Sequence, residues 1–294
     1  MDESRSTGER LMTGYFDRFS IEHLHRYAIA HELASGRDVL DIACGEGYGS
    51  NLLSGSAKSV VGVDIDQEIV RHAISKYRSA NLEFRHGSAD SIPLPDASVD
   101  VVVSFETLEH HDKHDEMYAE IKRVLRKDGV LIISTPDKYF FSDETGHRNE
   151  YHVKELYLSE FTELNQRYFK TTRFVSQKFI LGSIVCDQTP QNELRFIEGN
   201  HQTLSSSSKI VAPIYQICIA SDNEVSSIGS SFFEGPGLLS SMELNLEVQF
   251  TELDKLRRHV ASMSRQIQDM EASISMRLGR ALLSPIRLLV RRKK

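Results

Sequence analysis

The sequence predicts an α/β fold with a seven-stranded, mostly parallel sheet and flanking helices, followed by a C-terminal coiled coil and a basic amphipathic tail. Three observations predict it. Short apolar runs alternate with helix-like stretches from Asp38 to about Asp137, the pattern of strands joined by crossover helices. A glycine-rich turn follows the first of those runs. From Leu239 onward the apolar residues change to a three-then-four spacing. The implied organisation is one domain over residues 1–225, a linker and coiled-coil helix over 226–275, and a tail over 276–294.

Taken in order, strands are expected at Asp38–Ile42, Ser59–Asp64, Leu82–His86, Asp100–Ser104 and Val130–Ser134. Helices are expected near Gly49–Leu53, Ile69–Tyr77 and Asp115–Leu125, the last closed by Asp128-Gly129 with the glycine as a left-handed cap. Tyr151–Phe169 reads as a further helical region, and strands Phe174–Val185 and Ile214–Ala220 complete the sheet. The polar insertion between them, which includes Ser205–Ser208, is either a disordered loop or a substrate lid.

The chain of 294 residues is 40% hydrophobic and 26% charged with a net charge of −7, values of a soluble globular protein that argue against a nucleic-acid partner. Cys44, Cys186 and Cys218 are few, odd in number and far apart, so neither a disulfide framework nor a zinc site is indicated, and a reducing cytoplasm is the expected setting. The segment Met1–Arg10 is polar, and no apolar run approaches the roughly 20 residues of a membrane span, so neither an export signal nor an integral span is expected.

Apolar residues at Leu239, Met242, Leu246, Leu253, Leu256, Val260, Met263, Ile267, Met270 and Ile274 form a heptad seam interrupted by Gln249. It reads as a coiled coil that makes the protein a homo-oligomer, against the alternative of one amphipathic helix lying on the domain. From Met276 to Lys294 leucines mix with arginines and lysines and no acids, with Pro285 as an interruption. Such a tail suits an anionic membrane surface, here the cytoplasmic face of the inner membrane, with acidic protein partners or nucleic acid as the alternative.

Chemistry concentrates at the strand ends. In Val39-Leu40-Asp41-Ile42-Ala43-Cys44-Gly45-Glu46-Gly47-Tyr48-Gly49, Gly45 and Gly47 let the backbone turn tightly and approach a ligand. A glycine turn alone is weak evidence, but Asp64 ends the second strand about 20 residues later, where a carboxylate accepts both hydroxyls of a nucleoside ribose. A solvent-facing strand-end acid is the alternative reading. Histidines follow the fourth and fifth strands, in Glu109-His110-His111 and in His147 through Glu155. His110 or His152 is the expected general base, oriented by Glu109 or Glu155 respectively, because imidazole titrates near neutral pH. Each has the alternative of an ordinary surface histidine. His110, His111, Asp112, His114 and Asp115 also carry metal-ligand chemistry, but no further ligand is identifiable from spacing and no metal is expected.

The segment Asp41-Ile42-Ala43-Cys44-Gly45-Glu46-Gly47 resembles motif I of class I S-adenosylmethionine-dependent methyltransferases, whose fold is Rossmann-like. The resemblance implies S-adenosylmethionine as cofactor, with Asp41, Ala43, Cys44, Gly45 and Gly47 around its methionine part and Asp64 and Ile65 at its ribose. Gly87-Ser88-Ala89-Asp90-Ser91-Ile92-Pro93 resembles the family's third-strand motif, which implies adenine contacts from Ser88 and Ala89; the family commonly has aspartate where Ser88 stands. Val103-Ser104-Phe105-Glu106-Thr107 is similar to the fourth-strand end, which implies Ser104 and Phe105 as pocket walls, though Phe105 also reads as a core aromatic. His23-Leu24-His25-Arg26-Tyr27, the run from Phe105 to His110, and Asn149-Glu150-Tyr151-His152-Val153-Lys154-Glu155 resemble methyltransferases encoded with bacterial surface-polysaccharide (O-antigen) enzymes. That implies Arg26 as partner of the cofactor carboxylate, where a surface arginine on an amphipathic helix is the alternative. It also implies O-methylation of a glycan hydroxyl. Two other functions stay open: methylation of a small aromatic or quinone precursor, and a cofactor-binding scaffold that recruits glycosyltransferases.

Overall fold

Strand β1 (Asp38–Ile42) is the axis of the sheet because both of its faces are apolar and both are covered, as a parallel strand requires. Leu40 and Ile42 join one core with Met117, Ile121 and Phe161, whereas Val39 joins another with Ala30, Leu53 and Val101. The period of two in a strand sends alternate residues to opposite helical layers. The computed structural model describes residues 11–13, 16–181, 195–225, 227–235, 253, 255–266 and 278. The chain divides into two units, Met1–Glu234 and Gly235–Lys294.

In the first unit α1 (Arg18–Ala34) precedes β1, and α2 (Tyr48–Ser54), β2 (Ser59–Asp64), α3 (Gln67–Lys76), β3 (Leu82–His86) and β4 (Val99–Phe105) follow. After these come α4 (His114–Val124), β5 (Leu125–Pro136), α5 (Leu158–Tyr168), β6 (Thr171–Gln177), β7 (Phe196–Gly199), β8 (Leu204–Ser207) and β9 (Tyr215–Ser221). The seven-stranded sheet has the order β3-β2-β1-β4-β5-β9-β6. β1 pairs in parallel with β2 and β4, β2 with β3, and β4 with β5, while β9 runs antiparallel between β5 and β6. The order reverses between β1 and β4, and a crevice opens at the carboxyl ends of strands at such a point.

Local chemistry starts the helices where the sheet needs them. Asp17 caps α1 by accepting from Ser20 N at 2.9 Å, while Ser20 Oγ accepts from Asp17 N at 3.2 Å. Asp66 caps α3 by accepting from the backbone amides of Glu68 and Ile69. In α4 the buried Met117, Tyr118, Ile121 and Val124 fall on one helical stripe.

The first three strands have their expected bounds, and the other expectations shift. The helix expected over Asp115–Leu125 runs from His114 to Val124, and Gly129 is not its cap. Gly129 lies inside β5, where a Cβ would meet the Leu125 side chain at 2.7 Å and the Arg126 carbonyl at 2.9 Å. The helix expected over Tyr151–Phe169 begins only at Leu158; Glu160 accepts from Tyr157 N at 2.9 Å and sets its start, which leaves 151–157 as a loop. The strand expected over Phe174–Val185 is Thr171–Gln177, and residues 182–194 lie outside the described residues, Cys186 among them. The polar insertion, expected as a loop or lid, carries the antiparallel hairpin β7–β8. Cys44 and Cys218 are buried free thiols.

In the second unit residues 255–266 are helical, and the seam positions Leu256, Val260 and Met263 are 60%, 55% and 48% exposed. The seam positions Leu239, Met242, Leu246, Ile267, Met270 and Ile274 lie outside the described residues, as does the tail over 276–294 apart from Leu278. No helix among the described residues is long and apolar enough to cross a membrane.

Candidate active site

The turn after β1 is built from backbone that side chains resist. Ala43, Gly45 and Gly47 have φ of +56°, +55° and +89°. At Gly47, the N-cap of α2, a Cβ would lie 2.7 Å from the Phe84 ring and 2.9 Å from the Ala73 methyl, so glycine is required on two counts. At Gly45 a Cβ would meet nothing within 4 Å, because that residue opens onto a pocket of about 380 Å³. The pocket sits at the carboxyl ends of β1 to β4 and is lined by Cys44, Asp64, Ser88 and Phe105 among others. Asp64 fixes the turn: one carboxylate oxygen accepts from Gly45 N and the other from Asp66 N, both at 2.9 Å. Asp64 itself lines the pocket.

Beneath the turn Asp41 is 1% exposed. It accepts from Ser50 Oγ at 2.6 Å and from Tyr27 Oη at 3.2 Å. Burial pushes its carboxyl up to about 7; the bonds from Ser50 and Tyr27 oppose that rise and the nearby Asp64 adds to it.

Across the pocket, the loops after β4 and β5 are tied together. The Glu109 carbonyl accepts from Val153 N at 2.7 Å and from Lys154 N at 3.0 Å. This brings the His110 and His152 rings to 5.2 Å, nearly perpendicular. Glu155 Oε1 lies 2.5 Å from His152 Nδ1, and the Tyr151 carbonyl lies 3.1 Å from His110 Nδ1. Phe141 stacks on the His152 ring at 5.2 Å. Burial raises the Glu109 carboxyl well above the usual range, and Glu106 adds to the effect.

Of the residues singled out in the sequence, Ala43, Cys44, Gly45, Asp64, Ile65, Ser88, Ala89, Phe105 and His110 line the pocket. Glu109, His152 and Glu155 gather beside His110, although the sequence offered the two histidines as separate alternatives. Asp41, Gly47 and Ser104 do not line the pocket: Asp41 braces the turn from below, Gly47 packs on Phe84, and Ser104 bonds Thr107 at 3.1 Å. Arg26 is neither a surface residue nor part of the lining. It is 1% exposed, donates to Gln177 Oε1 at 2.8 Å, and lies 3.6 Å from Glu106 Oε1 and over the Tyr215 ring. Gln177 at the end of β6, Glu106 just after β4 and Tyr215 of β9 hold its guanidinium in the interior.

Sequence reasoning passed over several lining residues. Asp90 accepts from Ser88 Oγ and pairs with Lys113 Nζ at 2.5 Å, so the acid absent at position 88 is present two residues on. Tyr27 and Tyr48 pack edge to face at 5.5 Å beside the turn, and Tyr48 Oη lies 3.0 Å from His23 Nδ1. Their signal was the aromatic content around the glycines, which periodicity does not distinguish from core.

Residues 40–133, from β1 to β5, match a family model described as a methyltransferase domain. A protein of Mycolicibacterium smegmatis named as a probable S-adenosylmethionine-dependent methyltransferase is 41% identical over 162 residues, 54% of this chain and 62% of that one. A fatty-acid O-methyltransferase of the same organism is 29% identical over 118 residues, 40% of this chain and 43% of that one. The chain thus spans less than two thirds of the length of these relatives. An S-adenosylmethionine-dependent methyltransferase structure from Thermotoga maritima aligns with a TM-score of 0.50 at 15% identity over 70% of this chain and 92% of that one, a likeness of fold.

The buried Asp41 carboxyl makes stability depend on pH. The folded chain keeps the Asp41 proton to about pH 7, whereas the unfolded chain releases it near its ordinary value of 3.8. Its contribution is therefore complete below that ordinary value and is lost as pH rises through about 7, by on the order of 4 kcal/mol. Asp41→Asn should remove this dependence. In denaturant titrations from about pH 4.5 to 8, wild type should lose stability relative to the variant as pH rises; a constant difference would show that Asp41 is ionised throughout.

Proposed function

We propose that this chain, which carries an S-adenosylmethionine-dependent methyltransferase domain, methylates an acceptor oxygen, most directly a sugar hydroxyl of a bacterial surface glycan or its lipid-linked precursor. One observation carries the reading. Glu109, His110, His152 and Glu155 converge beside the pocket that fits the cofactor. The pocket's fit rests on the opening at Gly45 and on Asp64, whose carboxylate lines it at the end of β2. Ala43, Cys44 and Gly45 would hold the methionine part, Asp64 and Ile65 the ribose, and Ser88, Ala89 and Asp90 the adenine, with Phe105 as a wall. When bound, the cofactor supplies a methyl group activated on a sulfonium.

The chain's own groups handle the acceptor. A sugar hydroxyl is a poor nucleophile until its proton is drawn away, and histidine is suited to that near neutral pH. With Nδ1–H of His152 donating to Glu155 Oε1, Nε2 of that ring is the atom that would accept the hydroxyl proton. His110, Thr107 and the stacked Phe141 shape the approach. A second reading, an acyl carboxylate as acceptor, is favoured by the name of the fatty-acid O-methyltransferase relative. The chemistry separates the two, since a carboxylate is ionised at neutral pH and needs no base.

The exposed seam residues Leu256, Val260 and Met263 support a coiled-coil homo-oligomer, because a helix presenting that stripe to water gains by covering it with a second copy. The sequence of the tail supports a peripheral site on an anionic membrane surface, where each cation contributes on the order of 1 kcal/mol. Several tails on one oligomer would act together.

Asp64→Ala should weaken S-adenosylmethionine binding by about 2 kcal/mol or more in calorimetric titration, since it removes both the acceptor and the pin of the turn. Unchanged affinity in a folded variant would dismiss the ribose role. With labelled cofactor, His152→Ala should lower methyl transfer to a glycan acceptor by about 10²-fold with cofactor affinity unchanged. Equal turnover of wild type and variant on a fatty acid, with none on glycan, would establish the carboxylate reading instead. Truncation after Ser275 should abolish binding to anionic vesicles, and truncation before Leu239 should also give a monomer by light scattering. Equal vesicle binding by full-length and truncated chains would exclude the membrane role.

A further inference from the structure

We infer that Glu109, His110 and His152 form a binding site for one divalent first-row transition-metal ion, which holds the acceptor oxygen beside the cofactor pocket. One ligand atom from each residue lies within 4.8 Å of the other two. A single ion at about 2.0–2.2 Å from each needs its donors about 3.5 Å apart, so the side chains would close by roughly an ångström on binding. The three come from two loops, 42 residues apart from His110 to His152, so their meeting is a product of the tertiary fold and not of a charged helix start.

The second layer makes the stronger argument. Metal-binding histidines characteristically give their other ring N–H to a carboxylate or a backbone carbonyl, and binding carboxylates are themselves hydrogen-bonded. All three residues here are held in that way. Glu155 Oε1 sits 2.5 Å from His152 Nδ1, the Tyr151 carbonyl sits 3.1 Å from His110 Nδ1, and Thr135 Oγ1 donates to Glu109 Oε2 at 3.2 Å. Each histidine is thus held through Nδ1 by a neighbouring acceptor, the orientation that a metal-binding histidine requires. Phe141 fixes the plane of His152, and the two backbone bonds from Val153 and Lys154 to the Glu109 carbonyl lock one loop to the other. A purely structural cluster has no need for two oriented imidazoles beside a 1% exposed acid.

Two imidazoles and one carboxylate suit zinc, manganese, iron or cobalt over magnesium or calcium, which prefer oxygen ligands. Three protein ligands leave coordination positions for an acceptor oxygen. On such an ion the acceptor O–H bond breaks heterolytically, the electron pair staying on oxygen and the proton leaving to water. His152 then acts as a ligand and Glu155 as a positioning residue. This use of the ion rests on the methyl-transfer reading above, whereas the existence of the site does not.

The test is a titration of full-length protein, stripped with chelator, with Zn²⁺, Mn²⁺, Co²⁺ and Mg²⁺ in the absence of cofactor and acceptor. We expect one equivalent of a transition ion per chain, visible-region absorption bands with Co²⁺, and no comparable binding of Mg²⁺. His152→Ala and Glu109→Gln should each weaken binding about 100-fold or more, and Glu155→Gln about 10-fold. Circular dichroism identifies any variant that fails to fold, and His110→Ala then takes its place. No stoichiometric binding by wild type, or equal affinity in folded His152→Ala, would overturn the site. Stoichiometric binding with no methyl transfer to any acceptor would leave the site standing and remove the methyl-transfer reading.

Discussion

An acid buried under the glycine turn sets the geometry of the pocket's floor. Asp41 lies near the end of the central strand, and the ordinary way to keep such a group inside is to surround it with donors. Ser50 comes from α2 and Tyr27 from α1, so one acid gathers two helices over β1. Tyr27 carries the constraint outward. Its ring packs edge-on against Phe105 of β4 at 5.1 Å and occupies the space at Gly49, where a Cβ would come within 1.9 Å of it. The turn between them is thereby held in its positive-φ path, with Asp64 gripping it from the neighbouring strand. Position in the pocket follows from this chain of contacts and not from any one residue of the glycine motif.

The other end obeys a different constraint, the sharing of one buried cation among acids. Glu22, Glu106 and Glu109 all lie in the field of Arg26, which lowers the Glu22 and Glu109 carboxyls against the larger effect of burial. Even so, Glu22 is pushed up to about 7. Glu106 adopts φ of +52°, an uncommon conformation for a residue with a side chain, and its carboxylate accepts from Ser134 Oγ at 2.5 Å. That kink at the end of β4 is what turns the following residues, Leu108–His110, into a short 3₁₀ turn beside the pocket. An interior arginine thus makes the surrounding buried acids tolerable.

Short length and flanking turn residues, together with apolar pattern, made β1, β2 and β3 legible to the residue. The glycine turn and Asp64 were legible for the same reason that they matter: backbone constraints leave a mark in residue type. The interior place of Arg26 was not legible, because helical spacing says which face a residue is on and not whether that face meets water. Neither was the union of His110 with His152 legible, as it depends on backbone bonds from Val153 and Lys154 to a carbonyl, and carbonyls carry no sequence signal. The helix expected from Tyr151 failed on the same point, because that backbone was committed elsewhere. The β7–β8 hairpin has the composition of a loop, and its exposed Ile197 and Leu204 provide no alternation to read.

The antiparallel strand β9 has a bearing on how the chain is made. β6 pairs with no strand of the described residues except β9, which is separated from it by residues 178–214 and inserts between β5 and β6. On a ribosome, β1 to β5 can therefore assemble in order as they emerge, each crossover being short. β6 must then wait, a solitary strand beside an open β5 edge, until about 40 more residues have been synthesised, an interval of some seconds at typical elongation rates. During that interval the molecule displays the unpaired edge that invites pairing with another nascent chain. The insertion between β6 and β9 thereby sets how long that edge stays open.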